Sequence, residues 1–120
     1  MIRHLLWALL FLAPAAEAAT SCRESPLLQG ACFEIRGRLE LANGNPGWRI
    51  FQPDSRRVLG VMDALRSSAG RENGGLPPGV MRAAMQSRLP NNAVRARFKV
   101  CPLTRDIPGH MRIVCIAGMQ

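Results

Sequence analysis

Long apolar runs are nearly absent from this 120-residue chain. The one unbroken run, Leu5 to Leu12, falls well short of the roughly 20 residues that a membrane-spanning helix needs. No transmembrane segment is expected elsewhere. Histidine is almost missing too, with only His4 and His110. No two of the four cysteines, Cys22, Cys32, Cys101 and Cys115, lie within metal-ligand spacing, so zinc is disfavoured and no metal or cofactor is expected. Two tryptophans, four phenylalanines and no tyrosine leave little surface for stacking bases or sugar rings. Lysine occurs once, at Lys99, against fifteen arginines. Such a skew often follows genome base composition, so it is weak evidence for arginine-specific chemistry.

Acidic residues are scarce as well, and the net charge is +8. That balance favours acidic partners such as anionic glycans, phospholipid or lipopolysaccharide headgroups, or stray nucleic acid. The plain alternative is a cationic, solvated surface with no dedicated partner.

What is present begins with a secretory signal. Arg3 supplies the positive region, Leu5 to Leu12 the apolar core, and Ala16-Glu17-Ala18 a small-residue cleavage site. Cleavage before Ala19 is expected, leaving 19–120 as one small exported domain, periplasmic or secreted. A lipoprotein acylated at Cys22 is the weaker reading, because Ala19-Thr20-Ser21 is not a leucine-led box. A mature chain of about 100 residues makes one domain with a modest core. Four cysteines there suit an oxidising compartment and two disulfides.

The chain is organised around residues 32–61. Phe33, Ile35, Gly37, Leu39 and Leu41 alternate with Glu34, Arg36, Arg38 and Glu40, the period of a strand with one wet face. The turn-rich Asn43 to Gly47 leads to a second strand, and Pro53-Asp54-Ser55 leads to a third. Residues 63–75 hold too few apolar groups for a strand and read as a surface loop. Val80, Met81, Ala84, Met85 and Arg88 fall on helical spacing, with prolines before the helix and Pro90 after it. The two methionines are expected to fill the core. Alternation returns at Val94, Ala96, Phe98 and Val100, and a last apolar strand follows.

Strands are thus predicted near 32–41, 48–52, 57–62, 94–101 and 111–117, with a helix near 79–88. Five strands with one helix between the third and fourth is the order of the OB-fold, a small five-stranded barrel. Gly37 supports it, since a long first strand serving both halves of such a barrel must bend. An open sheet with the helix on one face is the competing architecture.

Two segments, GRLELANGNPGWRIF…RRVLGV and FKVCPLTRDIPGHMRIVCI, resemble a group of small exported proteobacterial proteins of uncharacterised function. The likeness covers residues 31–62 and 98–116. It implies export and domain extent and carries no activity. In the resembled pattern Cys101 and Cys115 recur together. This favours the local bridges Cys22–Cys32 and Cys101–Cys115, the first closing a short loop over Leu27-Leu28. The rival is Cys32–Cys101 with Cys22–Cys115, because antiparallel first and fourth strands bring Cys32 and Cys101 together.

Two constellations carry chemistry. His110 with Asp106, beside Arg105, is the one group that suits acid–base work, and it underlies the alternative of a small envelope hydrolase. Polar residues are expected in such a loop anyway, and no nucleophile is placed beside them. The second is basic. Arg36 and Arg38 share a strand face with Glu34 and Glu40, and Arg95, Arg97 and Lys99 share another. In an OB-like barrel the two rows are neighbours. They then make either ordinary cross-strand charge pairs or a basic stripe for a polyanion. Trp48 and Phe51 are expected in the core. The leading expectation is a non-enzymatic exported binding or structural module.

Overall fold

The computed structural model describes residues 20–67 and 74–120. The expected signal segment 1–18 and the middle of the 63–75 loop lie outside the described residues. Alternation becomes strand where it was legible: β1 (Phe33–Leu41), β2 (Trp48–Phe51), β3 (Val58–Val61), β4 (Val94–Pro102) and β5 (Arg112–Met119). Among the described residues one α-helix, α1 (Pro78–Met85), stands between β3 and β4. Among the described residues no helix is long and apolar enough to cross a membrane.

The strands close into a barrel in the order β1-β2-β3-β5-β4. All neighbours are antiparallel except β3 and β5, which run parallel. This is the OB-type barrel rather than the open sheet. Strand β1 pairs with β4 from Phe33 to Leu39 and with β2 from Arg38 to Leu41, so one strand serves two neighbours. Gly37 sits at the changeover. A Cβ there would meet Ile50 Cγ2 at 2.6 Å and the Phe51 carbonyl oxygen at 2.9 Å, so β2 closes over β1 only because a side chain is missing.

Inside lie Leu39, Trp48, Ile50, Leu59, Val61, Phe98, Val100, Val114 and Ile116, capped by Leu76, Val80 and Ala84 from the α1 side. The helix is shorter than its periodicity predicts. It stops at Met85, after which the Ser87 hydroxyl donates to the Ala93 carbonyl and accepts the Leu89 N–H. Serine thus offers the backbone a local alternative to another helical turn. The methionine pair divides: Met81 packs on the core and Met85 is 55 % exposed. Of the 63–75 loop, the described part is built by Asp63, whose carboxylate accepts the Leu65 and Ser67 N–H groups.

The expected local disulfides do not form. The bridges are Cys22–Cys115 and Cys32–Cys101, with Cα separations of 5.6 and 4.1 Å. Barrel closure explains the correction. Phe33 and Val100 are register partners, so the next step along each strand sets Cys32 against Cys101. Cys101 and Cys115 are themselves register partners on β4 and β5, yet each bonds outward. Around the bridges Leu27, Leu28, Leu103 and Ile113 form a second, smaller core, which fixes the lead-in across the barrel end.

Candidate functional site

The outer face of β1 and β4 gathers the basic residues. Register sets Glu34 opposite Lys99, Arg36 opposite Arg97 and Arg38 opposite Arg95. Among the described residues, opposite charges therefore meet the rows at their ends alone, by register at one end and by an ion pair at the other. Glu34 faces Lys99, and Glu40 takes Arg38 through Nε–Oε2 at 2.8 Å. Between them two rungs of arginine face arginine, and like charges directly opposite destabilise a sheet. Arg36, Arg95 and Arg97 are exposed and carry no ion pair among the described residues. Alternation puts the rungs two residues apart along each strand, roughly 6.7 Å at strand rise.

A groove of about 660 Å³ runs over these rungs, with all four arginines, Phe51, Pro53 and Gln120 in its walls. Phe51 was expected in the core, and this is corrected. In β2 the inward positions are Trp48 and Ile50, leaving Phe51 half-buried on the outer side, opposite Arg38. The Arg38 guanidinium lies over its ring, 5.5 Å from the centroid, a cation–π contact between two residues of the groove wall. Beyond Arg97 a smaller notch of about 200 Å³ adjoins, lined by Arg23, Glu34, Lys99 and Gln120. Gln120 and Arg97 exchange backbone hydrogen bonds of 3.0 and 2.8 Å, continuing the β4–β5 ladder to the groove edge.

The sequence-expected set Arg36, Arg38, Arg95, Arg97 and Lys99 is thus brought onto one surface. Phe51, Pro53 and Arg23 were missed. The alternation of Trp48-Arg49-Ile50-Phe51 already set Phe51 beside Arg49 and away from Trp48, so that signal was present. Arg23 had none, since its place depends on the Cys22–Cys115 bridge.

The other constellation comes apart. Asp106 pairs with the Arg57 guanidinium, and no side-chain hydrogen bond joins it to His110 among the described residues. The Arg57 hydrogen bond holds the Asp106 carboxyl below the usual range, with Arg57 and Arg112 charge adding to it, and raises Arg57 in turn. Asp106 is thereby an anion committed to bracing the 103–111 loop against the start of β3. His110 is exposed in a cleft of about 600 Å³, and among the described residues no orienting carboxylate is bonded to it. Arg49, likewise, is a brace that donates to the Pro46 and Asn43 carbonyls of the β1–β2 loop. The sulfurs of Cys22, Cys101 and Cys115 lie within 4.8 Å of one another, but all are spent in disulfides, and a metal requires thiolates.

No family model matches this chain, and neither curated proteins nor solved structures give a match.

Proposed function

We propose that this domain is an exported, non-enzymatic binding module that takes a polyanion along the β1–β4 face. The ligand class is an anionic glycan or lipid headgroup carrying at least two neighbouring phosphate, sulfate or carboxylate groups. The supporting observation is the pair of arginine rungs, Arg36 opposite Arg97 and Arg38 opposite Arg95, lining one groove. Facing like charges cost stability, and a bound anion removes that cost while receiving charge-assisted hydrogen bonds. Arginine suits the task because its planar fork grips such oxygens in pairs. Two disulfides in so small a domain are compatible with an exported protein.

Retention on immobilised heparin and on lipopolysaccharide at graded salt tests the proposal. Arg95→Ala with Arg97→Ala is expected to weaken binding about tenfold, about 1.4 kcal/mol, and to reduce the salt slope by roughly two. The control is Arg82→Ala with Arg88→Ala, which removes the same charge from exposed positions near α1. Equal losses in the two double variants would mean that overall charge, not the groove, attracts the polyanion.

A further inference from the structure

Each disulfide joins an outer cysteine to an inner one. Cys22 and Cys32 are partly buried, whereas Cys101 is 0 % and Cys115 2 % exposed. The inner two are register partners on adjacent antiparallel strands. Such partners have Cα atoms about 4.5–5.5 Å apart, within the span that a disulfide bridges. Moreover, the sulfurs of Cys22, Cys101 and Cys115 all lie within 4.8 Å of one another, so the two bonds sit side by side. A cleft of about 350 Å³ opens at one end of this cluster, with Ser21, Cys22, Arg23 and Cys115 in its walls.

We propose that the paired bridges form a thiol–disulfide exchange relay, entered by an external thiolate at Cys22 and left by a thiolate at Cys32. The thiolate attacks Cys22 Sγ and forms a mixed disulfide. The Cys22–Cys115 bond breaks, and its electron pair leaves on Cys115. That charge is buried among Leu103, Ile113 and the lead-in leucines, where the ionised form is disfavoured. Cys115 Sγ then attacks Cys101 Sγ, the Cys101–Cys115 bond forms, and the Cys32–Cys101 bond breaks. The electron pair leaves on Cys32, which keeps some solvent contact and takes a proton from water.

Two bonds break and two form, so no oxidant or reductant is consumed beyond the entering thiol. The relay has a direction because desolvation moves the charge from the fully buried sulfur to the less buried one. Arg23, in the wall of the same cleft, favours approach of the incoming anion. The co-reactant class is a thiolate, whether of a small thiol or of a thiol–disulfide oxidoreductase.

Peptide mapping reads the outcome cleanly, because trypsin cuts after Arg23, Arg36, Lys99, Arg105 and Arg112 and so isolates every cysteine on its own peptide. The folded protein is treated with reduced glutathione, then alkylated and digested without reduction. Glutathione on Cys22, an alkylated Cys32 and a Cys101–Cys115 bond are expected. Glutathione on Cys22 with Cys115 alkylated and Cys32–Cys101 intact would overturn the relay, as would the absence of any adduct. Cys22→Ser supplies a second arm, since it frees Cys115 with no reagent. Cys101–Cys115 with a free Cys32 is expected there, and a retained Cys32–Cys101 bond with a free Cys115 contradicts it.

Discussion

Gly37 shows how much one missing side chain carries. It lies where β1 passes from pairing with β4 to pairing with β2, and the atoms a Cβ would strike include the Phe51 carbonyl, which cannot move without shifting β2. Gly37→Ala is therefore expected to destabilise by about 1–3 kcal/mol, the range for forcing an extra methyl group into a packed site. Urea denaturation with an unchanged midpoint would show that β2 yields freely. Asp106 is a gentler case. Its carboxyl is held low first by the Arg57 hydrogen bond, so its contribution is present above the ordinary aspartate value near 3.9 and is lost as pH falls through its lower folded value. Asp106→Asn is then expected to be slightly less stable than wild type near neutral pH, and to match it in strong acid. The pair is exposed, so the gap is small. A gap of constant size in urea midpoints across that acid range would refute the assignment.

At the scale of elements, the β1–β4 face sets stability against binding. Arg97→Glu would place an acid opposite Arg36 and is expected to raise stability by about 0.2–1 kcal/mol while weakening polyanion retention. Denaturation midpoints and heparin elution of that one variant decide it, and a fall in stability would show that the rungs do not strain the sheet. The elements themselves were legible because a strand with one buried face writes its period of two directly into the chain, as Phe33 to Leu39 does, although Leu41 at its end is exposed. Neighbourhood of the two basic rows followed from strand order. Which residue faces which did not, since register is set by barrel closure, and a shift by two would have put Arg36 opposite a different partner. The helix end at Met85 was obscured because hydrophobic spacing continues to Arg88 while a serine hydroxyl ends the hydrogen bonding.

In the whole molecule the disulfides divide the work unequally, although their loops are similar at 93 and 69 residues. Sequence nearness misled the pairing because a barrel joins its first strand to its fourth, distant in the chain and adjacent in space. Cys32–Cys101 reinforces strands already paired from Phe33 to Leu39, whereas Cys22–Cys115 fastens a lead-in whose other ties are loop contacts and no strand pairing. Those ties include the Ser25 hydroxyl donating to the Ala64 carbonyl and the Gln29 N–H donating to Pro102 at 2.8 Å. Chain-entropy reasoning assigns each bridge about 2–5 kcal/mol, with little difference between loops of these lengths. The two double variants, Cys22→Ser with Cys115→Ser and Cys32→Ser with Cys101→Ser, should thus lose similar amounts of stability, each lowering Tm by at least about 8 °C. Their local consequences should diverge. Without Cys22–Cys115 the lead-in is released while the barrel persists, so trypsin should cut after Arg23 and amide exchange should quicken over residues 20–31. Without Cys32–Cys101 the Arg23 site should keep its protection, because Cys22 stays fastened to β5. Equal cleavage at Arg23 in both variants would show that the lead-in is held by the barrel as a whole and not by its own bridge.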